Sequence, residues 1–498
     1  MSLSSAAYLV FLAAAMLIYY LCPGKWRWCI LLATSGCYYV ISSKAAALYL
    51  AATIAITWAS ALFLQYQHHR PAPDKAAKKR QNTRCRLILA VALGINFATL
   101  FIFKYLDPTL ESLGASPLGL LLPLGISFYI FQTSGYLIDV YRAKVTAERN
   151  ILKYALFASY FPQIIQGPIG RWQELAPQLF APNRFDADKV RAGIQLMIWG
   201  MLKKVFIADT LHAAVSDVYA NYTEYSGIAV FLGAALYCIQ LYADFSGGTD
   251  IVRGVSRLFG VELAENFQRP YLSRSLDEFW RRWHTSLGEW MKDYLFYPLA
   301  LSKWLPRLAK KLRPHVSPCV AKLIVPCIST TAVFLAVGIW QGPGAANIAY
   351  GLWNGLLMSG AMLCAPMFDR LNKKLHLGGT PLNVIRIVRT CLIVIIGRYF
   401  SNSDTLSAAF GMLARTFTLA DGAMIPLTAD VLVKAGIGCV LLLIVSLLCE
   451  RGIDLRAKVN SSPTAVQFAL LFASVALLVV FVYLNGDYTA IAYVYENV

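Results

Sequence analysis

The sequence predicts an all-α, polytopic membrane protein, a bundle of about 12 transmembrane helices (10–13), and three observations lead there. Of its 498 residues, 58% are hydrophobic and only 14% charged, against roughly 45–50% and 25% in soluble domains. A water-soluble fold cannot hide that much apolar surface. Apolar runs recur along the whole length, each close to the roughly 20 residues a helix needs to cross a hydrocarbon core about 30 Å thick. Lipid offers backbone amides no partner, which leaves helices or closed barrels, and barrel strands would alternate apolar with polar residues.

The runs place spans near 6–21, 28–42, 46–64, 88–106, 118–138, 193–211, 227–245, 323–341, 345–365, 383–400, 432–449 and 465–484. The first could pass for a signal peptide, but no basic region precedes it and Cys22-Pro23-Gly24-Lys25-Trp26 replaces a small-residue cleavage site, so it reads as a retained span. Lys and Arg concentrate in His68 to Arg86, Lys303 to Lys322, Arg370 to Arg389 and Glu450 to Lys458. With alternating spans these segments share one side, which the positive-inside rule makes cytoplasmic. Both termini then face outward, in keeping with a tail, Asn485 to Val498, that has no Lys or Arg. The net charge of +18 therefore speaks for orientation in a membrane rather than for nucleic acid.

Two stretches do not fit simple spans: Ile151 to Arg171 and the long, charged, aromatic Gly247 to Leu301. Polar backbone at membrane depth survives only beside protein or a water-filled cavity, so both are expected as amphipathic or re-entrant helices on the cytoplasmic face, around a central tunnel. The eleven cysteines are scattered singly without a Cys-x-x-Cys pair or a neighbouring histidine cluster, which supports neither a metal site nor a disulfide framework. No internal repeat of the kind found in many transporters is visible.

Within the second stretch, Glu278 to Trp290 reads as one helix with Phe279, Trp283, Leu287 and Trp290 on one face. From spacing alone it is an interfacial helix with aromatic anchors and snorkelling arginines. The wider context adds a resemblance. Asp244-Phe245-Ser246-Gly247, then Gly260, Glu265-Asn266-Phe267-Gln268-Arg269-Pro270-Tyr271, Phe279-Trp280-Arg281-Arg282-Trp283-His284, Ser286-Leu287, Trp290 and Asp293-Tyr294 resemble the signature of bacterial membrane-bound O-acyltransferases of the alginate O-acetylase kind. Pro123-Leu124-Gly125-Ile126-Ser127-Phe128 and Phe161-Pro162-Gln163 to Gly167-Pro168-Ile169 match further pieces in the same order. The likeness implies a single membrane domain, with N-terminal spans over 1–117, the family core over 118–400 and C-terminal spans over 401–498.

The resemblance implies an acyl thioester donor, commonly acetyl-coenzyme A, entering from the cytoplasm. It also implies an exported polysaccharide or cell-envelope polymer as hydroxyl acceptor, and a separate extracytoplasmic acyltransferase as partner. No bound cofactor is expected, and the setting would be the cytoplasmic (inner) membrane. A close variant is the D-alanyl transferase of teichoic acids, which draws on a carrier protein. Arg269, Arg281 and Arg282 are candidates to bind donor phosphates, because guanidinium forks suit phosphate oxygens; holding the cytoplasmic face by snorkelling is the competing role. His284 matches the family's second histidine. At the place of the first, catalytic one, in a Trp-His-Gly element, this chain reads Trp340-Gln341-Gly342. An amide exchanges no proton near pH 7 and cannot be the base, a contribution of about 10²- to 10⁴-fold. Three readings of Gln341 stay open: an impaired relative that binds or assembles, a base role taken over by His284, or an engineered change. Asp244, Trp283, Trp340 and Asn354 are candidate tunnel-lining residues, as is Arg398 near a span end, while His68, His69, His315 and His376 fall in basic loops.

Overall fold

The computed structural model describes residues 3, 5–120, 122–374, 379–483 and 491–493; His376 and most of the acidic tail lie outside them. Side-chain caps open many helices, each accepting an orphan amide of the first turn. Ser5 caps α1 (Ala6–Leu21), and α2 (Arg27–Ser43) runs into α3 (Ala47–His69) through one tight turn. Asp74 caps α4 (Lys75–Ser112), so most of the expected basic loop is helical, its Ala, Lys, Arg and Gln all being strong helix formers. The span expected from residue 118 becomes helical only at α5 (Ile126–Tyr141). Pro117 and Pro123 precede it, Gly125 turns left-handed at φ 66°, and Asp107 takes up the Leu118 and Leu120 amides. Next come α6 (Ile151–Ser159), α7 (Trp172–Phe180) and α8 (Ala187–Lys203).

A π-helical stretch, Lys204–Asp209, leads into α9 (Thr210–Ala220), and α10 covers Gly227–Leu258. The span expected to stop at residue 245 thus continues through Ser246-Gly247-Gly248, and Asp244 sits mid-helix rather than at an end. Two short helices follow, α11 (Leu276–Arg282) and α12 (Thr285–Met291), then α13 (Tyr297–Ala300) and α14 (Trp304–Leu312). The C-terminal part holds α15 (Pro318–Gln341), α16 (Ala345–Lys374), α17 (Gly379–Ser401), α18 (Leu406–Phe417), α19 (Ala429–Glu450), α20 (Leu455–Asn460) and α21 (Thr464–Tyr483). The described residues contain no strand beyond two isolated bridges.

Seven helical stretches among the described residues are long and apolar enough to cross a membrane: Gly24–His69, Lys75–Ser112, Gly227–Leu258, Pro318–Gln341, Ala345–Lys374, Gly379–Ser401 and Ala429–Glu450. The first carries two of the expected spans in one run, and α1 and α21 are shorter apolar helices. On α19, Leu432, Val433, Val440 and Leu443 are all more than half exposed, an outward apolar face that fits lipid and not water. The protein is a multi-pass helical membrane protein.

The chain divides into two compact units. The first comprises Met1–Val205, Asp244–Ala264 and Asp454–Val498; the second comprises Phe206–Ala243 and Glu265–Ile453. In the first, α8 meets the second half of α10 through paired glycines. A Cβ at Gly254 would stand 2.5 Å from the Gly193 carbonyl oxygen, and one at Gly200 would stand 2.5 Å from that of Gly247. These glycines are what lets the helices approach backbone to backbone, as small residues do at membrane helix contacts. The second unit repeats the device between α15 and α16, where a Cβ at Gly351 would lie 2.5 Å from the Phe334 carbonyl and one at Gly355 2.9 Å from Thr331 Cα. Thr331 and Ser359 then hydrogen-bond across the seam at 3.0 Å.

Gly254→Ala is expected to destabilise by about 1–3 kcal/mol through overpacking, lowering the melting temperature of the detergent-solubilised protein. Gly36→Ala, where an added methyl meets nothing within 4 Å, is expected to leave it unchanged or raise it.

Candidate functional site

The expected continuous helix from Glu278 to Trp290 is interrupted. Ser275 caps α11, which ends at Arg282; Trp283 is extended (φ −105°, ψ 122°), and His284 is left-handed (φ 47°, ψ 55°) before α12 begins. A left-handed histidine is uncommon and persists only where its surroundings hold it. The holder is the preceding extended stretch, Glu265 to Gln268. The Gln268 amide donates to the Arg282 carbonyl at 2.9 Å, and the Thr285 amide donates to that of Asn266 at 3.1 Å, an antiparallel bridge centred on Phe267 and Trp283. The Thr285 hydroxyl donates to the Glu265 carbonyl, and buried Asn266 accepts the Ser286 amide through Oδ1 at 3.2 Å. Two pieces of the sequence signature therefore form one knot around His284.

The aromatic face foreseen for this segment is buried as expected despite the break, with Phe279, Trp283, Leu287 and Trp290 all inside. Phe279 stacks on Trp283 at 5.6 Å, and Phe267 meets it edge-on at 5.1 Å. His284 is itself buried, and desolvation pushes its imidazole down to about 3, so it is neutral across the physiological range.

Asn354, on α16, bridges helices: the Trp280 indole donates to its Oδ1 at 3.2 Å while its amide donates to the Tyr350 carbonyl. Trp280 also packs on Phe334 of α15 at 5.1 Å. Gln341 lies seven residues further on the same helix, about 10 Å along its axis, beside buried Trp340. Arg398, on α17, is buried with its guanidinium 5.2 Å from the Trp283 ring centre, and its Nη1 donates to the Tyr350 hydroxyl at 3.1 Å. Trp283, Asn354 and Arg398 are thus gathered around one aromatic group in the second unit.

The three arginines proposed for donor phosphates all pair with carboxylates. Arg269 and Arg282 share Glu450, at 2.8 and 3.0 Å; Arg282 also holds Glu278 at 2.7 Å, and exposed Arg281 pairs with Asp277. His68, His69 and His315 are surface-accessible, and His69 Nδ1 lies 2.9 Å from the Gln65 carbonyl.

Asp244 belongs to the first unit, with partners the sequence reading missed. Lys204 Nζ meets its Oδ1 at 2.7 Å with both side chains buried, and Lys204 also lies 4.3 Å from the Tyr493 ring centre. Next to it, Lys203 binds Asp250 and the Ser246 hydroxyl at 2.8 Å each. The signal was present: two adjacent lysines inside an apolar run, with two aspartates inside another, are charges that must find each other at membrane depth.

These features define a multi-pass membrane protein with a buried, conformationally held histidine that follows, in sequence, a tryptophan packed on a buried guanidinium within an aromatic cluster. The model of the MBOAT family, membrane-bound O-acyltransferases, matches residues 36–313. The chain is 34% identical over 345 residues to the probable alginate O-acetylase AlgI of Pseudomonas syringae pv. tomato, covering 67% of this chain and 61% of that protein. It is 31% identical over 446 residues to the protein of the same name from Azotobacter vinelandii, covering 87% and 81%. To the peptidoglycan O-acetyltransferase of Helicobacter pylori it is 32% identical over 317 residues, covering 57% of each. The chain belongs to the membrane-bound O-acyltransferase family, and it spans about three fifths of the length of the Pseudomonas and Helicobacter relatives.

Two outcomes are expected. Because the unfolded chain binds a proton near pH 6.5 that folded His284 refuses until about 3, stability falls as pH is lowered from 6.5 toward 3. The thermal melting temperature of His284→Asn should fall less over that range than that of the wild type. Lys204→Met alone should cost about 3–5 kcal/mol by removing the cation buried against Asp244, and Lys204→Met with Asp244→Leu should recover most of it, read in the same melting assay.

Proposed function

We propose that this chain is an O-acyltransferase of the cytoplasmic membrane. It moves an acyl group, acetyl foremost, from a cytoplasmic thioester such as acetyl-coenzyme A to a hydroxyl of an exported polysaccharide or other envelope polymer. Family membership and the O-acetylase names of its relatives support the reaction class. The observation that carries the site is the knot at Trp283–His284, which holds a neutral imidazole in a fixed, buried orientation.

In this reading His284 accepts the proton of the acceptor hydroxyl as its oxygen attacks the thioester carbonyl carbon. The carbon–sulfur bond then breaks, and the leaving thiolate takes the proton back from the imidazolium. Burial keeps the ring unprotonated beforehand, and the negative charge gathering on the substrate stabilises the imidazolium once formed. Gln341 stands where the family has its base; it supplies an amide that can hold a carbonyl or a hydroxyl in place but moves no proton. A separate extracytoplasmic acyltransferase would receive the acyl group or complete its delivery.

Gln341 also favours a second reading, an MBOAT relative that kept the bundle and serves as a binding or assembly component. The test is acylation of the envelope polymer in cells, with radiolabelled acetyl-coenzyme A turnover in membranes beside it. Wild type should be active and His284→Ala reduced by 10²-fold or more; Gln341→His should raise the rate. Activity unchanged in His284→Ala removes the assigned base, and activity that arises only in Gln341→His establishes the second reading. Turnover of a D-alanyl carrier protein, and none of acetyl-coenzyme A, would move the chain to the D-alanyl branch.

A further inference from the structure

The short helix α14 (Trp304–Leu312) carries three different faces. With 3.6 residues per turn, Leu305 and Ala309 share a side that is buried. Trp304, Leu308 and Leu312 lie on the adjoining edge, apolar yet 53%, 37% and 37% exposed. Arg307, Lys310 and Lys311 occupy the remaining side and are all exposed. A surface helix surrounded by water needs apolar residues only on the side it buries. An open apolar edge beside a cationic face is instead the pattern of a helix lying in a membrane interface.

The place of α14 in the chain puts it at that level. Its nine residues extend about 14 Å, too short to cross a hydrocarbon core of about 30 Å. The chain leaves it through Arg313-Pro314-His315 and at Pro318 enters α15, which is long and apolar enough to span the bilayer. Leu301, 81% exposed, extends the uncovered apolar surface ahead of the helix. Trp304 opens it, and tryptophan is enriched at the depth of the headgroups.

The charge of this segment has no counterpart in the protein. From Tyr294 to Phe368 the sequence contains no Asp or Glu, yet Lys303, Arg307, Lys310, Lys311, Arg313 and Lys322 fall within it. Among the described residues none of these cations forms an ion pair, whereas Arg269, Arg281 and Arg282 of the same unit each have a carboxylate. Lys310 and Lys311 stand three and four residues after Arg307, so the three are neighbours on one helix face, and like charges so placed destabilise a helix. A cluster kept at that cost is complementary to anions supplied from outside. An acidic soluble protein would answer the charge alone. Anionic lipids answer the charge and the open apolar edge together.

We propose that α14 is a binding site for anionic lipid. Arg307, Lys310 and Lys311 hold phosphodiester headgroups, while Trp304, Leu308 and Leu312 dip between the acyl chains. The site stands whether or not the chain transfers an acyl group. The full chain in neutral detergent is titrated with dansyl-labelled phosphatidylglycerol and with dansyl-labelled phosphatidylcholine, and binding is read as energy transfer from tryptophan.

Wild type is expected to prefer phosphatidylglycerol roughly tenfold. Arg307→Gln with Lys310→Gln and Lys311→Gln should remove most of that preference. Lys75→Gln with Lys78→Gln and Lys79→Gln takes the same charge from the exposed first turns of α4, where no large apolar side chain adjoins, and should leave the preference intact. Leu308→Ser with Leu312→Ser should weaken both lipids alike, and Arg307→Lys should behave as wild type, because the site needs charge and not a fork. Equal affinity of wild type for the two lipids, or a preference that survives neutralisation of α14, would overturn the proposal. So would an equal loss in the α4 variant, which would show that charge anywhere on the chain suffices, or a loss in Arg307→Lys, which would mark a packing role.

Discussion

The short antiparallel bridge between Glu265–Gln268 and Arg282–Thr285 is the constraint on which the second unit's chemistry depends. Two amide-to-carbonyl bonds, one hydroxyl and one asparagine side chain hold the chain where α11 would otherwise run on into α12. Without them Trp283 would lose the partner segment that sets its ring edge-on to Phe267 and over Arg398. A backbone held off its preferred conformation by surrounding hydrogen bonds is the usual signature of a group whose direction matters.

Charge is handled in two different ways. In the first unit the buried lysines 203 and 204 each have an aspartate within 2.8 Å. Glu450 likewise ties Arg269 and Arg282 to the end of α19. Arg398, buried on α17, is left with two donors unpartnered.

Much of this was legible in the sequence. The apolar runs announced a helical membrane protein, and the inward face of Phe279, Trp283, Leu287 and Trp290 followed from their spacing, because burial of a periodic stripe survives a local break. The break itself was not legible: nothing in Arg282-Trp283-His284 disfavours a helix, and the cause lies some seventeen residues upstream. The continuation of α10 past Asp244 was hidden for a related reason. Gly247 and Gly248 read as breakers from propensity alone, whereas Gly247 lets the α8 backbone approach and Gly248 leaves room for the Gln166 side chain. Lys203 and Lys204 fell inside the span expected at 193–211 and were not matched with Asp244 and Asp250.

The seam between α15 and α16 bears on the history of the site. Gly338, Gly351 and Gly355 bring two backbones into contact, so the helix ending in Gln341 has no room to slide or rotate against its neighbour. Whatever side chain occupies that last turn inherits a preset depth and bearing without further adjustment. Glutamine and histidine codons differ by a single third-position base, so exchanging the two at this preset position takes one transversion.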